Sequence, residues 1–388
     1  MSLLYLTNVQ IPADDAQSLQ IQAMSKAFTL ALKEDFLLIS PKNKRNESLK
    51  TEYNWIKIKI PKFLPRSLRY FLLIIKALPK LFKFKPDFIY SRDIGVVFVY
   101  KLLGFNAVYE IHKPFETKIG NLLFKLIAPK IKIVAISQVL KAFIIEKYFS
   151  PRPSASFGEN ILVAHDGVFL EDFLKINLSK QELKKNYLNL DENQFVALYS
   201  GGFQEGKGLE LILEAAKELK DIIFVIIGGP SSPRPSASSP RLSASSSNVL
   251  FWGRKLPEEI PRYLKAADIL LLPNTRALSY FRYTSPLKMF EYMASGVPIL
   301  ASNLGSIREI LNENNTLLFN PENKNDFIDK IKEIKENYSA AEKKAIQALQ
   351  DARNYTWQKR VENILRFLGD QLAVSNTNQK RKHFHRVL

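Results

Sequence analysis

The chain has no cysteine, only four histidines, and no apolar run long enough to cross a membrane. Missing thiols exclude disulfides, iron–sulfur clusters, thiolate zinc sites and a cysteine nucleophile, and they suit a reducing compartment. The most apolar stretch, Phe71 to Leu78, is broken by Lys76 and falls far short of the ~20 residues of a spanning helix. The opening Ser2–Asn8 has no basic leader, so it reads as a buried strand and not as a signal peptide.

Acidic residues are the other shortage. The 388 residues hold 56 Lys+Arg against 38 Asp+Glu, a formal charge of +18, which calls for anionic partners: nucleic acid, a membrane surface or a phosphorylated small molecule. Residues 1–175 carry 26 Lys+Arg and 15 Asp+Glu, and four of the remaining bases, Lys380, Arg381, Lys382 and Arg386, sit in a basic tail at 376–388. A hydrophobic content of 46% with 11% aromatics supplies enough material for real cores, so a wholly disordered chain is excluded. The length suits two domains.

Short apolar runs alternate with helical periodicity throughout. Strands are expected at Leu3–Val9, Phe36–Ser40, Ile56–Ile60, Phe88–Ser91, Ala107–His112, Ile131–Ser137 and Ile161–His165. A second series is expected at Phe195–Ser200, Ile222–Ile227, Val249–Trp252, Ile269–Pro273, Pro298–Ala301 and Thr316–Phe319. Continuous Ile/Val/Leu runs imply strands buried on both faces of a parallel sheet. No strand falls within Val168–Gln194, which places a boundary there and gives two doubly wound α/β domains, 1–175 and 176–355, followed by a helix at 356–375. The heptapeptide Ser-Pro-Arg-Pro-Ser-Ala-Ser recurs at 150–156 and inside 231–247, apolar-poor sequence that reads as two loop insertions.

The most informative stretch is Tyr283-Thr-Ser-Pro-Leu-Lys-Met-Phe-Glu-Tyr-Met-Ala-Ser-Gly296. Ser285 reads as an N-cap, Pro286 as the first helical residue and Gly296 as the terminator. The start of such a helix is an anion site, where free amides meet the positive end of the dipole. A Lys at 288, in a turn that favours Asp or Glu, implies that an external anion supplies the negative charge. Glu291 lies three residues on, along the same face, and its carboxylate can accept two hydroxyls of a diol. The plain alternative is an amphipathic helix with a surface Lys–Glu pair.

A second anion site is the turn Gly201-Gly202-Phe-Gln-Glu-Gly-Lys207-Gly208, where glycines let amides approach a phosphate and Lys207 adds charge. Gly208 stands where a P-loop needs Ser or Thr for magnesium, so a P-loop NTPase is disfavoured. His112 and His165 each end a strand, the side on which open α/β sheets bind ligands. Neither has a close set of further ligands, so no metal site is expected. His383 and His385 fall in the basic tail.

Together these segments resemble the family 4, or group 1, retaining glycosyltransferases of GT-B fold. The resemblance is carried by Tyr199–Ile212, Ala267–Asn274 and Ser285–Ser302, with support from Tyr109–His112, Val134–Ser137, Ile161–Gly167 and Asn8–Ala27. It implies two tandem Rossmann-like domains facing a cleft, an acceptor-side first domain and a second domain holding a nucleotide-sugar donor. It also implies that the helix at 356–375 returns to the first domain. Carried over by position, Glu291 would bind the donor ribose, while Lys207 and the amides around Ser285–Leu287 would hold the diphosphate, with Pro286, Gly201 and Gly202 also among the donor-binding residues. His112, Lys207 and Lys288 would be the catalytic groups, with Gln17, Ser18, Glu110 and His112 on the acceptor side. No metal or other cofactor is implied; the charge of the departing diphosphate would be stabilised by cations and amides.

Two departures from the family pattern bear on the donor. Tyr283 occupies the place of a sugar-contacting Glu, and Gly202 that of an Arg. Lys288 could supply the second cation, and Arg254 is another candidate. The basic, apolar-rich segment 61–87 suits either an anionic membrane surface or a core-packed helix with a solvated basic face. No nucleic-acid-binding module is recognised. The resulting expectation is a cytoplasmic enzyme, peripheral on the inner face of the membrane, that glycosylates an envelope polysaccharide, lipopolysaccharide or other glycolipid. The alternatives are a non-catalytic membrane-associated binding protein of the same fold and a sugar-nucleotide epimerase.

Overall fold

The computed structural model describes residues 1–369 apart from 14, 48–50, 62, 150–157, 230–246, 278–281 and 284. Both heptapeptide insertions, apart from residue 247, and the basic tail thus lie outside the described residues. The chain forms two compact units, Met1–His165 with the chain from Trp357 onward, and Asp166–Thr356.

The first unit is a seven-stranded parallel sheet built from β1 (Leu3–Leu6), β2 (Phe36–Pro41), β3 (Trp55–Ile58), β4 (Phe88–Ser91), β5 (Ala107–Ile111), β6 (Lys132–Ala135) and β7 (Ile161–Val163). Its order is β3-β2-β1-β4-β5-β6-β7, with the topological switch between β1 and β4. The connecting helices are α1 (Ala16–Leu32), α2 (Arg66–Phe84), α3 (Ile94–Leu102), α4 (Lys118–Ile127) and α5 (Gln138–Phe149). Asp15, Asp93 and Thr117 cap α1, α3 and α4 by accepting first-turn amides, which satisfies donors that a helix start leaves free. Helices α2 and α3 pack over Leu4, Leu6, Ile39 and Ile89 on one face of the sheet.

The second unit is a six-stranded parallel sheet of β8 (Phe195–Ser200), β9 (Ile222–Ile227), β10 (Val249–Gly253), β11 (Ile269–Leu272), β12 (Ile299–Ser302) and β13 (Leu317–Phe319), ordered β10-β9-β8-β11-β12-β13. Its main helices are α6 (Leu209–Glu218), α7 (Ile260–Lys265), α8 (Leu287–Ser295), α9 (Lys324–Glu336) and α10 (Tyr338–Ala352). Alternate residues of one strand enter opposite cores: Val196 and Leu198 join Met289 and Phe290, whereas Ala197 and Tyr199 join Ile212 and Phe327. Covering both faces explains why the strands read as unbroken apolar runs.

The boundary falls at 165/166 and not at 175/176. Val168 and Phe173 are buried in the second unit's core, and the Val168 amide donates to the Tyr355 carbonyl. The terminal helix, α11 (357–369), belongs to the first unit. Trp357, Val361, Ile364 and Leu368 are its buried face. No described helix is long and apolar enough to cross a membrane.

Candidate functional site

In open α/β sheets ligands bind beyond the carboxyl ends of the strands where the order reverses. In the second unit that place is the end of β8 beside the end of β11. The turn after β8 is folded against β11: Gly206 accepts from the Thr275 amide at 3.0 Å, and the Gly208 Cα faces the Pro273 carbonyl so closely that a Cβ would collide with it. Gly208 also takes a φ of +72°, a conformation open mainly to glycine. Gly208 therefore serves the close approach of this turn to the backbone that follows β11.

Helix α8 aims at the same place. Gly296 ends it in the left-handed region, as its position implies. The start differs from the expectation: the N-cap is Pro286, not Ser285, and no side chain caps it. Ser285 is buried, and its hydroxyl accepts from the Asp166 amide at 3.3 Å. Proline brings no amide of its own, and with Ser285 turned away the first amides of α8 have no capping side chain.

Lys288, in that first turn, runs to the β8 turn. Its ammonium lies 3.9 Å from the centre of the Tyr199 ring, and a Cβ placed on Gly201 would be 2.6 Å from its Nζ. Tyr199 is held by donating its hydroxyl to the Gly202 carbonyl at 2.7 Å, and the Ser200 amide donates to the Tyr292 hydroxyl of α8 at 2.9 Å. The lysine's stem is half-buried, yet its Nζ is shielded from solvent and has no hydrogen-bond partner. Burial first, and then the charge of Lys207, push the Lys288 ammonium well below the ordinary lysine value, against the pull of Glu291. Burial likewise lowers Lys207. Glu291 is raised to about 7 by burial, with Lys288 opposing. The two lysines, Glu291, Gly201 and Gly202 are thus brought together electrostatically and by contact. Arg254 is exposed just beyond β10. Asn274, directly after β11, is also buried with its amide oxygen unpartnered.

The first unit gathers a different cluster. Glu110 on β5 is completely enclosed and accepts from Gln20 at 2.6 Å, from Arg360 of α11 at 2.9 Å and from the Tyr90 hydroxyl, while His112 Nε2 meets the same carboxylate. Gln20 in turn accepts from Arg92 at 2.8 Å. Burial alone would raise Glu110, but Arg360, then His112 and Arg92, outweigh it and hold the carboxyl far below the usual range. With no exposed surface and every oxygen engaged, Glu110 is a hub and not the acceptor contact expected of it. Ser18 is corrected for the same reason: it is wholly buried and accepts from the Ala13 amide at 2.8 Å. Gln17 is exposed and His112 half-buried. Burial, with Arg360 adding to it, lowers His165 to about 4, which leaves a neutral imidazole at neutral pH.

Arg360, Tyr199 and Asn274 were not singled out from the sequence. Arg360 did leave a signal: it is the one base in the stripe Trp357, Arg360, Val361, Ile364, Leu368, and a charge inside an apolar stripe requires a partner.

The switch point of the second sheet thus gathers two lysines, Glu291, a glycine-rich turn and a helix start without a capping side chain. The chain matches, over residues 180–351, the family model of the glycosyl transferases group 1. It is similar to a lipopolysaccharide 1,2-N-acetylglucosaminetransferase of Salmonella typhimurium, 26% identical over 215 residues, covering 53% of this chain and 50% of that one. The chain spans about half the length of the curated relatives it matches. Among solved structures, a sucrose-phosphate synthase from Thermosynechococcus elongatus superposes with a TM-score of 0.78 at 16% identity, over 96% of this chain and 99% of that one. HepE of Anabaena in complex with UDP-glucose superposes with a TM-score of 0.72 at 16% identity, over 95% and 100%. The fold is GT-B, two Rossmann-like α/β units.

Proposed function

We propose that the chain transfers a sugar from a UDP- or GDP-sugar to a glycan or glycolipid acceptor of the cell envelope, with retention at the anomeric carbon. The observation that carries this reading is the buried, unpartnered ammonium of Lys288 beside Lys207. A buried ammonium that has no hydrogen-bond partner of its own and lies beside a second cation is a stable neighbour to it only when an anion joins them. The donor diphosphate supplies that anion, held by both lysines and by the first amides of α8. Because its charge grows as the sugar leaves, the same groups stabilise the transition state more than the ground state. No step in this scheme asks for a metal ion. Glu291 takes the ribose diol, and His112, fixed by Glu110, donates to a sugar hydroxyl. HepE, whose solved complex contains UDP-glucose, makes UDP-glucose the first donor to try.

The test is release of UDP or GDP across a panel of nucleotide sugars, with envelope glycolipid extract as acceptor. Turnover with at least one donor is expected, together with weakened nucleotide binding in Glu291→Ala. No turnover with any donor, combined with unchanged binding in that variant, overturns the reading.

The titration of Glu291 adds a second expectation. Its folded value lies above the ~4.3 of a free Glu, so its contribution to stability is complete below that value and declines as pH rises to about 7. Diol binding has the opposite sense, since it needs the carboxylate. The ratio of wild-type to Glu291→Gln affinity for UDP should rise about tenfold between roughly pH 6 and 8. Taking the ratio cancels the titration of the nucleotide's own phosphate, and a flat ratio would remove Glu291 from the diol.

A further inference from the structure

Helix α2 has three faces, not two. Leu73, Ile74, Ala77 and Leu81 are buried against the sheet, and Lys76, Lys80 and Lys83 are exposed along one flank. On the other flank Leu68, Phe71 and Ile75, spaced three and four apart, are exposed as a continuous stripe, with Phe71 at 54%. Such a stripe has no place in a helix that simply covers a core.

Helix α4 repeats the arrangement. Phe124 and Ile127 are buried, whereas Ile119, Leu122 and Leu126, again at spacings of three and four, are 72%, 57% and 54% exposed. Lys118 and Lys125 border them. Between the two helices lies α3, tied to α2 by the Tyr100 hydroxyl donating to the Ile74 carbonyl at 2.7 Å and packed on α4. Neither α2 nor α4 contains an Asp or Glu, and together they carry seven Lys and Arg.

We infer that these two helices form one docking face for a bilayer surface containing acidic lipids. Apolar side chains at 43–72% exposure on convex helices offer no groove for a peptide, but they can enter the boundary between headgroups and acyl chains while the flanking lysines reach phosphates. A second copy of the chain would bring basic flank against basic flank, which charge repulsion opposes. The face extends the expectation for 61–87: α2 supplies half of it and α4 the other half. It does not depend on the glycosyl-transfer reading, because vesicle binding needs no sugar nucleotide.

The experiment is co-sedimentation of the full chain with vesicles of phosphatidylcholine alone and of equal parts phosphatidylcholine and phosphatidylglycerol, at about 0.1 M salt. Binding to the mixed vesicles is expected, much weaker on pure phosphatidylcholine. Partitioning should fall at least tenfold in Ile119→Ser/Leu122→Ser/Leu126→Ser and in Leu68→Ser/Phe71→Ser/Ile75→Ser. Both triples alter exposed positions, and unchanged far-ultraviolet circular dichroism and melting temperature would show that they fold. Absence of binding to either vesicle, or equal binding by folded triple variants, overturns the inference. So does a concentration-dependent dimer of the wild type that the triples abolish, since that would assign the face to a second copy.

Discussion

Lys288→Met should make the free protein more stable and its donor site nearly useless. In the free state Lys288 keeps an ammonium out of water with an aromatic face against it and no hydrogen-bond partner. A buried polar group without a hydrogen bond costs about 1–3 kcal/mol, and methionine fills the same space with no such cost. For a unit of this size each kcal/mol moves the melting temperature by about 2–4 °C, so a rise of several degrees is expected. Binding moves the other way. A hydrogen bond to a charged group contributes about 1.5–3 kcal/mol, so affinity for UDP should fall on the order of 100-fold, and kcat/KM by at least as much. Melting curves and calorimetric titration with UDP read both effects on one sample. A variant that melts lower and binds UDP unchanged would show Lys288 to be a structural residue.

That opposition between stability and binding also explains what could be read from the chain directly. Thirteen strands were expected, and all thirteen are present with ends shifted by up to three residues, because a strand buried on both faces must be apolar throughout and leaves no ambiguity of period. Lys288 was legible for the reverse reason: a cation in a helix's first turn contradicts local preference, and such conflicts gather at functional sites. The start of α8 was misread because Ser285 has the right chemistry for a cap, yet the Asp166 amide, distant in sequence, takes its hydroxyl. Propensity weighs neighbours and cannot see a partner 119 positions away. Glu110 was placed on the acceptor side by the resemblance of Tyr109–His112 to the family pattern. Arg360, 250 positions further on, turns it inward.

Arg360→Met should therefore damage the first unit more than any exposed substitution. It removes the leading counter-charge of a carboxylate that has no solvent contact, and breaking a buried pair from one side costs about 3–5 kcal/mol. The melting temperature should drop by roughly 10 °C, with α11 losing its strongest tie to β5. Adding Glu110→Gln should restore a good part of the loss, since no charge is then left without a counter-ion, and the double-mutant cycle measures the coupling. The pH profile separates this from simple loss of packing. In the wild type Glu110 titrates below its unfolded value of ~4.3, so the pair's stability is complete above that value and is lost as pH falls beneath it. In Arg360→Met the strongest opposition to burial is gone, and burial now raises the carboxyl. Should it pass the unfolded value, the variant becomes less stable as pH rises from ~4.3 toward neutrality. The slope of melting temperature against pH then changes sign between the two proteins, an outcome that loss of van der Waals contact alone cannot produce. Identical slopes in both would mean that Arg360 holds α11 by packing and not by its charge.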